Sequence, residues 1–442
     1  MIKVNRNIYK NKNFNNIMII LFFLLHITNG YLFNHWYPIS PYKNFDYSKP
    51  QKINVLEKEL VVWKKNDKII VQDNQCIHRK APLSEGYIDK DTENLRCSYH
   101  GWEFNENGWV TCMPQCSKNL MKKIESYECM VYGNMLWVNF GNVSAVSPDK
   151  LYKLDNDTDV LMRDLPYDVD ILLENLFDPA HIPFAHHKLQ STRELASPVN
   201  VTLTTINETN LSFNFEDWSN LNRDKDHYRN GTMNFQIPCY YYLETLYPDI
   251  DLKKLNVFCT PIEGGKTKLF INYEFKDGPF YRVYQLIPKW AVHLLIQTFF
   301  DSDTYLLNSQ EKWLRENNNN SLHDIERLYY MPTSSDKGVQ IFNKWKKSYF
   351  HKPKKVNLNN FNMEKREYIL ERYNQHTKQC IYCSAALENF KKAQTFGVIS
   401  ILTFGIYEQS IFAPILAYIW FNLFEKIIQQ FIFQDYVHKN ID

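Results

Sequence analysis

Cys76-Ile-His78 and, after 18 intervening residues, Cys97-Ser-Tyr-His100 set a thiol beside an imidazole twice. Two thiolates and two imidazoles in this alternation suit a [2Fe–2S] cluster, with one iron on Cys76 and Cys97 and the other on His78 and His100. Neutral imidazoles in place of two thiolates remove negative charge and raise the reduction potential. A Cys₂His₂ zinc site is the alternative, although zinc ligand pairs more often read Cys-x-x-Cys and His-x-x-x-His. Gly101 and Trp102 allow a tight loop and an apolar lid over the site.

A second constellation lies downstream: Glu174-Asn175-Leu-Phe-Asp178-Pro-Ala-His181-Ile-Pro-Phe-Ala-His186-His187. His181 and His186 offer two nitrogens, and one carboxylate from elsewhere would complete the two-His-one-carboxylate set of non-haem Fe(II) oxygenases. Asp303, seven residues before Gln310, is the favoured third ligand, and Asp301 is the alternative. Asp178 stands three residues before His181, on the same face of a helix, where a carboxylate orients the imidazole. Asn175 and Asp178 are the candidate catalytic side chains. Cys380-Ile-Tyr-Cys383 is the chain's one Cys-x-x-Cys. Its spacing permits a disulfide or exchange with a thioredoxin-like reductant. An inert pair in a linker is the alternative, and a zinc site would need partners that the sequence does not show.

Respiratory Rieske proteins brace their cluster with a disulfide between the two ligand loops. The loops here hold Arg79, Lys80 and Ala81, and Ser98 and Tyr99, with no extra cysteine. That points to the oxygenase type and a reducing compartment. Cys112, Cys116 and Cys129 read as buried thiols.

The elements that must hold these groups are legible in outline. Residues 60–71 read as a hairpin turning at 65–67, and 135–140 as a strand. Residues 172–187 and 292–316 read as helices, 201–215 and 266–275 as strands, and 317–320 as a polar loop. Residues 375–392 form a hydrophilic stretch. The first sixteen residues carry four basic side chains and no acid, and 17–25 are apolar, which fits a signal h-region; a buried strand or short anchor is the alternative. Two apolar runs, 396–407 and 411–424, fall short of the roughly 17–25 residues of a spanning helix. A tilted hairpin, one broken span, an interfacial pair and a buried soluble hairpin all fit them, and membrane attachment is the expectation.

The 442 residues carry 51 Lys+Arg against 49 Asp+Glu, a net +2 that excludes a basic nucleic-acid surface. Aromatic residues make up 15%, which suits a large apolar pocket or a membrane contact. Nine cysteines, an odd and sparse set, exclude a full disulfide framework.

The motifs His35-Trp-Tyr-Pro38, Cys76 to Gly86, Cys97 to Trp102 and Glu174 to His187 resemble the pheophorbide a oxygenase family. Its relatives are chlorophyllide a oxygenase, protochlorophyllide-linked oxygenase and the Rieske component of the plastid inner-envelope translocon. Cys380 to Cys383 before an apolar tail looks like the pheophorbide and translocon branches. The resemblance implies an α+β protein: an all-β Rieske domain, an α+β helix-grip catalytic domain and a C-terminal apolar helical membrane tail. The expected divisions are 1–30 targeting segment, 31–145 Rieske domain, 146–350 catalytic domain, 351–394 linker with the Cys-x-x-Cys, and 395–442 membrane-associated tail.

It further implies a homotrimer holding a [2Fe–2S] cluster and a mononuclear Fe(2+), reduced by ferredoxin. Electrons would pass from His100 or His78 of one subunit through Asp178 of the next to His181. The expected reaction is O₂-dependent oxygenation of a chlorophyll-derived tetrapyrrole resembling pheophorbide a, at a plastid membrane reached through the signal segment. Chlorophyllide or protochlorophyllide as substrate, a redox-sensing component of a plastid import complex, and a sterol or lipid oxygenase are the alternatives.

Overall fold

The computed structural model describes residues 35–116, 121–141, 145–154, 159–217, 229–245, 252–275, 278–349 and 365–440. The signal-like segment lies outside these. β-Branched and aromatic residues in short alternating runs build the first part from ten strands. These are β1 (Trp36–Pro41), β2 (Gln51–Val55), β3 (Lys58–Lys65), β4 (Lys68–Asp73), β5 (Tyr87–Ile88), β6 (Leu95–Arg96), β7 (Glu103–Phe104), β8 (Val110–Cys112), β9 (Ser126–Tyr132) and β10 (Met135–Asn139). One sheet runs β1-β10-β9-β4-β3-β2, and a small sheet β5-β6-β7-β8 sits apart. The hairpin read at 60–71 is β3 and β4, joined by Asn66 and Asp67, both at positive φ as a two-residue turn demands.

A seven-stranded antiparallel sheet follows: β11 (Leu161–Leu165), β12 (Asn200–Ile206), β13 (Asn210–Asp217), β14 (Arg229–Gln236), β15 (Tyr240–Thr245), β16 (Leu252–Pro261) and β17 (Thr267–Phe275), in the order β11-β17-β16-β15-β14-β13-β12. The stretch read as one strand over 201–215 is two, β12 and β13, folded back on each other. Helices α1 (Val169–Leu176), α2 (Lys289–Asn317) and α3 (Lys337–Tyr349) join this sheet in one core. There Phe177 meets Phe213, Tyr241 and Phe342. The N-terminal β domain and this α+β domain share a second core. Trp137 packs on Tyr152 and Phe258 across the join, and Thr260 Oγ1 donates to the Pro38 carbonyl at 2.9 Å.

Helices α4 (Ile381–Tyr407) and α5 (Ala413–Gln430) form an antiparallel hairpin. Its turn is tight: a Cβ on Gly405 would stand 2.0 Å from that of Ala413. Phe404, Ile406, Tyr407, Ile411, Phe412 and Tyr418 near this turn are exposed. Against a spanning form of the expected membrane tail, no helix among the described residues is long and apolar enough to cross a membrane. The charges Glu388, Lys391 and Lys392 occupy the first half of α4. The apolar remainder reaches only about 18 Å against a core of about 30 Å. The expected boundary between 394 and 395 falls inside α4, and the Cys-x-x-Cys stands at its start rather than in a linker.

Candidate active site

Cys76 and Cys97 sit on two matching knuckles. In the first, Cys76 N–H donates to Ala81 O and Lys80 N–H to Cys76 O, at 2.9 and 2.8 Å; in the second, Cys97 N–H donates to Trp102 O and Gly101 N–H to Cys97 O, at 2.9 and 3.0 Å. Each closes on a positive φ, at Lys80 and at Gly101. Both sulfurs are buried in one apolar cluster with Leu83, Leu95 and Phe104. The rings of His78 and His100 lie 4.6 Å apart, and Trp102 stacks flat on His78, as the expected lid. His78 Nδ1 is buried and has no hydrogen-bond partner. Burial pushes the Cys76 thiol up to about 11, and a bound metal cation would bring it back to the thiolate at neutral pH. Two buried sulfurs, a neighbouring imidazole pair and an unpaired ring nitrogen fit a [2Fe–2S] cluster.

The helix expected over 172–187 breaks. Pro179 and Pro183 withhold backbone N–H groups, so α1 ends at Leu176 and is followed by single turns at Pro179–His181 and Ile182–Ala185. The break serves the site. On one straight helix, residues five apart point about 140° from each other; here His181 Nε2 and His186 Nε2 converge to 3.3 Å. Asp303, on α2, completes the cluster, its carboxylate 3.4 Å from His186 Nε2 and 3.9 Å from His181 Nε2. α2 is held in place by Glu311, which accepts from Asp168 N–H at the start of α1 at 2.7 Å.

The outer nitrogens fix both tautomers. His186 Nδ1–H donates to Ser302 Oγ at 2.7 Å, and Ser302 Oγ–H donates on to the Phe299 carbonyl. His181 Nδ1–H donates to the Asp178 carbonyl. Both Nε2 atoms therefore present lone pairs toward Asp303. Burial lowers the pKa of His186, favouring its neutral, ligating form. One carboxylate, two neutral imidazoles and open neighbouring positions fit Fe(2+).

The favoured Asp303 stands at the cluster, whereas the alternative, Asp301, is fully buried between Arg163 and Arg372, at 2.7 and 2.5 Å. One expectation changes. The Asp178 carboxylate does not touch His181; it caps Ala180 N–H at 3.0 Å, and the backbone carbonyl orients the ring instead. Burial raises the Asp178 pKa. Asn175 lies in the last turn of α1, where its carbonyl accepts from Asp178 N–H. His187 faces away from the cluster and accepts from Arg193 N–H.

Three residues escaped sequence reasoning. Ser302 is one of many serines, and only folding marks it. Tyr436 and His438 return from the far end of the described chain, and the charge of Asp303 acts on both. The Tyr436 hydroxyl and His438 Nε2 are buried without partners. Cys380 and Cys383 are buried far along the fold, between His293 and His376.

A model of the Rieske [2Fe-2S] domain matches residues 35–128, and a model of pheophorbide a oxygenase matches residues 235–321. The chain is 30% identical to the chloroplastic pheophorbide a oxygenase of Oryza sativa subsp. japonica, over 92% of this chain and 85% of that one. The chain belongs to the pheophorbide a oxygenase family. Members of this family are Rieske non-haem iron oxygenases, and the cluster and the mononuclear iron match the two donor sets above. Another relative within reach of the family is the protochlorophyllide-dependent translocon component 52 of Arabidopsis thaliana, 26% identical over 80% of this chain and 73% of that one. Dicamba monooxygenase with dicamba bound shares the fold at TM-score 0.56 and 15% identity, covering 72% of this chain and 97% of that chain.

Proposed function

We propose that this enzyme uses O₂ and electrons from a ferredoxin to oxygenate a chlorophyll-derived tetrapyrrole resembling pheophorbide a. The observation that carries the reading is the convergence of His181, His186 and Asp303 with both imidazole tautomers fixed. The rice relative's name supplies the substrate class.

Cys76, Cys97, His78 and His100 would hold the cluster, and His181, His186 and Asp303 would hold the iron. When bound, the cluster supplies single electrons and the iron activates O₂. The chain's own residues do the rest. Ser302 and the Asp178 carbonyl keep both ring protons away from the iron side. Tyr436 and His438 present a hydroxyl and a ring nitrogen near Asp303 for a polar edge of the substrate. Among the described residues, no hydrogen bond, ion pair or ring contact joins His78 or His100 to Asp178, His181, His186 or Asp303. On this reading the enzyme is a homotrimer in which Asp178 bridges to a cluster histidine of the next subunit.

The divisions 31–145 and 146–350 serve as the cluster-binding and catalytic domains. The exposed apolar turn of the α4–α5 hairpin supports attachment to the face of a plastid membrane, without a span. Both Cys380 and Cys383 are buried, so exchange with a thioredoxin-like reductant would require the start of α4 to open. The translocon relative favours a second reading, a redox component that leaves the iron site idle. The deciding experiment incubates iron-replete protein and reduced ferredoxin with pheophorbide a, chlorophyllide and protochlorophyllide under isotopically labelled O₂, followed by mass spectrometry. Label in a pheophorbide a product supports the proposal. No labelled product from any of the three, with about three irons per chain, supports the redox component.

A further inference from the structure

We propose that His293, His376, Cys380 and Cys383 form a structural zinc site that rivets the C-terminal hairpin to the helix carrying Asp303. Their four donor atoms all lie within 4.8 Å of one another, and all four residues are buried. His293 Nδ1 stands 3.4 Å from Cys380 Sγ and 3.7 Å from Cys383 Sγ, and His376 Nε2 stands 3.3 Å from Cys383 Sγ. A tetrahedral zinc with bonds of about 2.3 Å to sulfur and about 2.0 Å to nitrogen has ligand–ligand edges of about 3.3–3.8 Å. The measured separations fall within that range.

The outer ring nitrogens supply an independent observation. His293 Nε2–H donates to Asp159 Oδ2 at 2.8 Å, and His376 Nδ1–H donates to the Met162 carbonyl at 2.5 Å. Both remaining nitrogens therefore aim lone pairs at the two sulfurs. A carboxylate or carbonyl behind each imidazole is the usual support of a zinc-bound histidine. A cystine would leave both lone pairs facing sulfur with no proton between. Two thiolates neutralise a divalent cation, so the filled site carries no net charge into the interior. Four protein donors leave no open position, which makes the site structural rather than catalytic. Two sulfurs with two nitrogens in a tetrahedron select zinc.

The ligands come from three places: α2, the turn before α4, and the first residues of α4 with Cys380 just ahead of it. His293 and Asp303 share α2, about 15 Å apart along its axis. A cavity lined by Pro41, Asn44, Asn134, Lys289 and Tyr382 reaches His293 and Cys380 and offers the ion a way in.

The test measures zinc and iron in the full-length protein purified without chelator, and the zinc X-ray absorption spectrum. One zinc per chain beside the full iron content is expected, with two sulfur and two nitrogen neighbours. Cys380→Ser/Cys383→Ser and, separately, His376→Ala should lower zinc at least tenfold while the Rieske absorption persists. The proposal is overturned by iron-replete protein lacking zinc, by a zinc shell of oxygen and nitrogen alone, by zinc that survives both variants, or by a Cys380–Cys383 disulfide in the isolated protein. If both variants fail to fold, the spectrum of the unaltered protein decides.

Discussion

Asp301 and Asp303 stand two residues apart on α2 and therefore about 200° apart around it. Asp303 meets the two imidazoles, and Asp301 is enclosed by two arginines. Asp303→Asn should remove about one of three irons per chain with little change in Tm. Asp301→Asn should retain iron but cost about 3–5 kcal/mol of stability, because it leaves two buried guanidinium groups short of a counter-charge. Iron analysis and thermal unfolding read both; iron loss in Asp301→Asn with unchanged Tm would reverse the assignment. A pH dependence belongs at the same scale. Burial raises Glu174 above the usual carboxylate range, and it pushes Glu311 up to about 7 against the pull of Arg315. An acid with a folded pKa above its unfolded value of about 4.3 favours the fold fully below that value and loses the benefit as pH rises through the folded one. Tm should therefore fall as pH rises through about 7, and Glu311→Gln should flatten that slope. A variant as steep as the parent would show that Glu311 does not titrate there. The cluster ligands and the two histidines were legible because short loops fix them locally. Asp303 was preferred over Asp301 only on its spacing to Gln310, because helix geometry separates the two faces without saying which one meets the imidazoles.

At the scale of elements, Pro179 and Pro183 were in view, and they end α1 where the apolar pattern continues. Reading the pattern ahead of the prolines gave one helix in place of one helix and two turns. The partners of Cys380 and Cys383 were illegible for another reason: His293 stands on a different helix, and only packing brings it across. The α4–α5 hairpin carries its own prediction. Each bulky apolar side chain that leaves water contributes about 1.5–3 kcal/mol, so Phe404, Ile406, Ile411 and Phe412 together suffice for surface binding. Changing Phe404, Ile411 and Phe412 to Ser should lower flotation with galactolipid vesicles at least tenfold and leave Tm within a few degrees. Unchanged flotation would remove the hairpin as the attachment.

At the scale of the molecule, the two metal-binding regions are joined by a shared core, yet no contact among the described residues links their histidines. Asp178→Asn should keep both metal contents and the oligomeric state of the parent while lowering steady-state turnover at least tenfold. A near-normal rate of electron delivery to the iron in a single turnover would rule out the bridge. The order of the two metal motifs was legible in the sequence, and the β and α+β fold classes followed from the family those motifs resemble. The return of Tyr436 and His438 to the iron site was not, since nothing local ties a residue near 438 to one at 303.

That return bears on maturation. Cys76 to His100 emerge early in synthesis and fold on their own hairpins, so the iron–sulfur cluster is installed against a complete ligand set. The iron triad is different. His181, His186 and Asp303 are all made well before Tyr436 and His438, on which the charge of Asp303 acts in the folded protein. The surroundings of the iron ligands are therefore complete only once residue 438 has been made and packed.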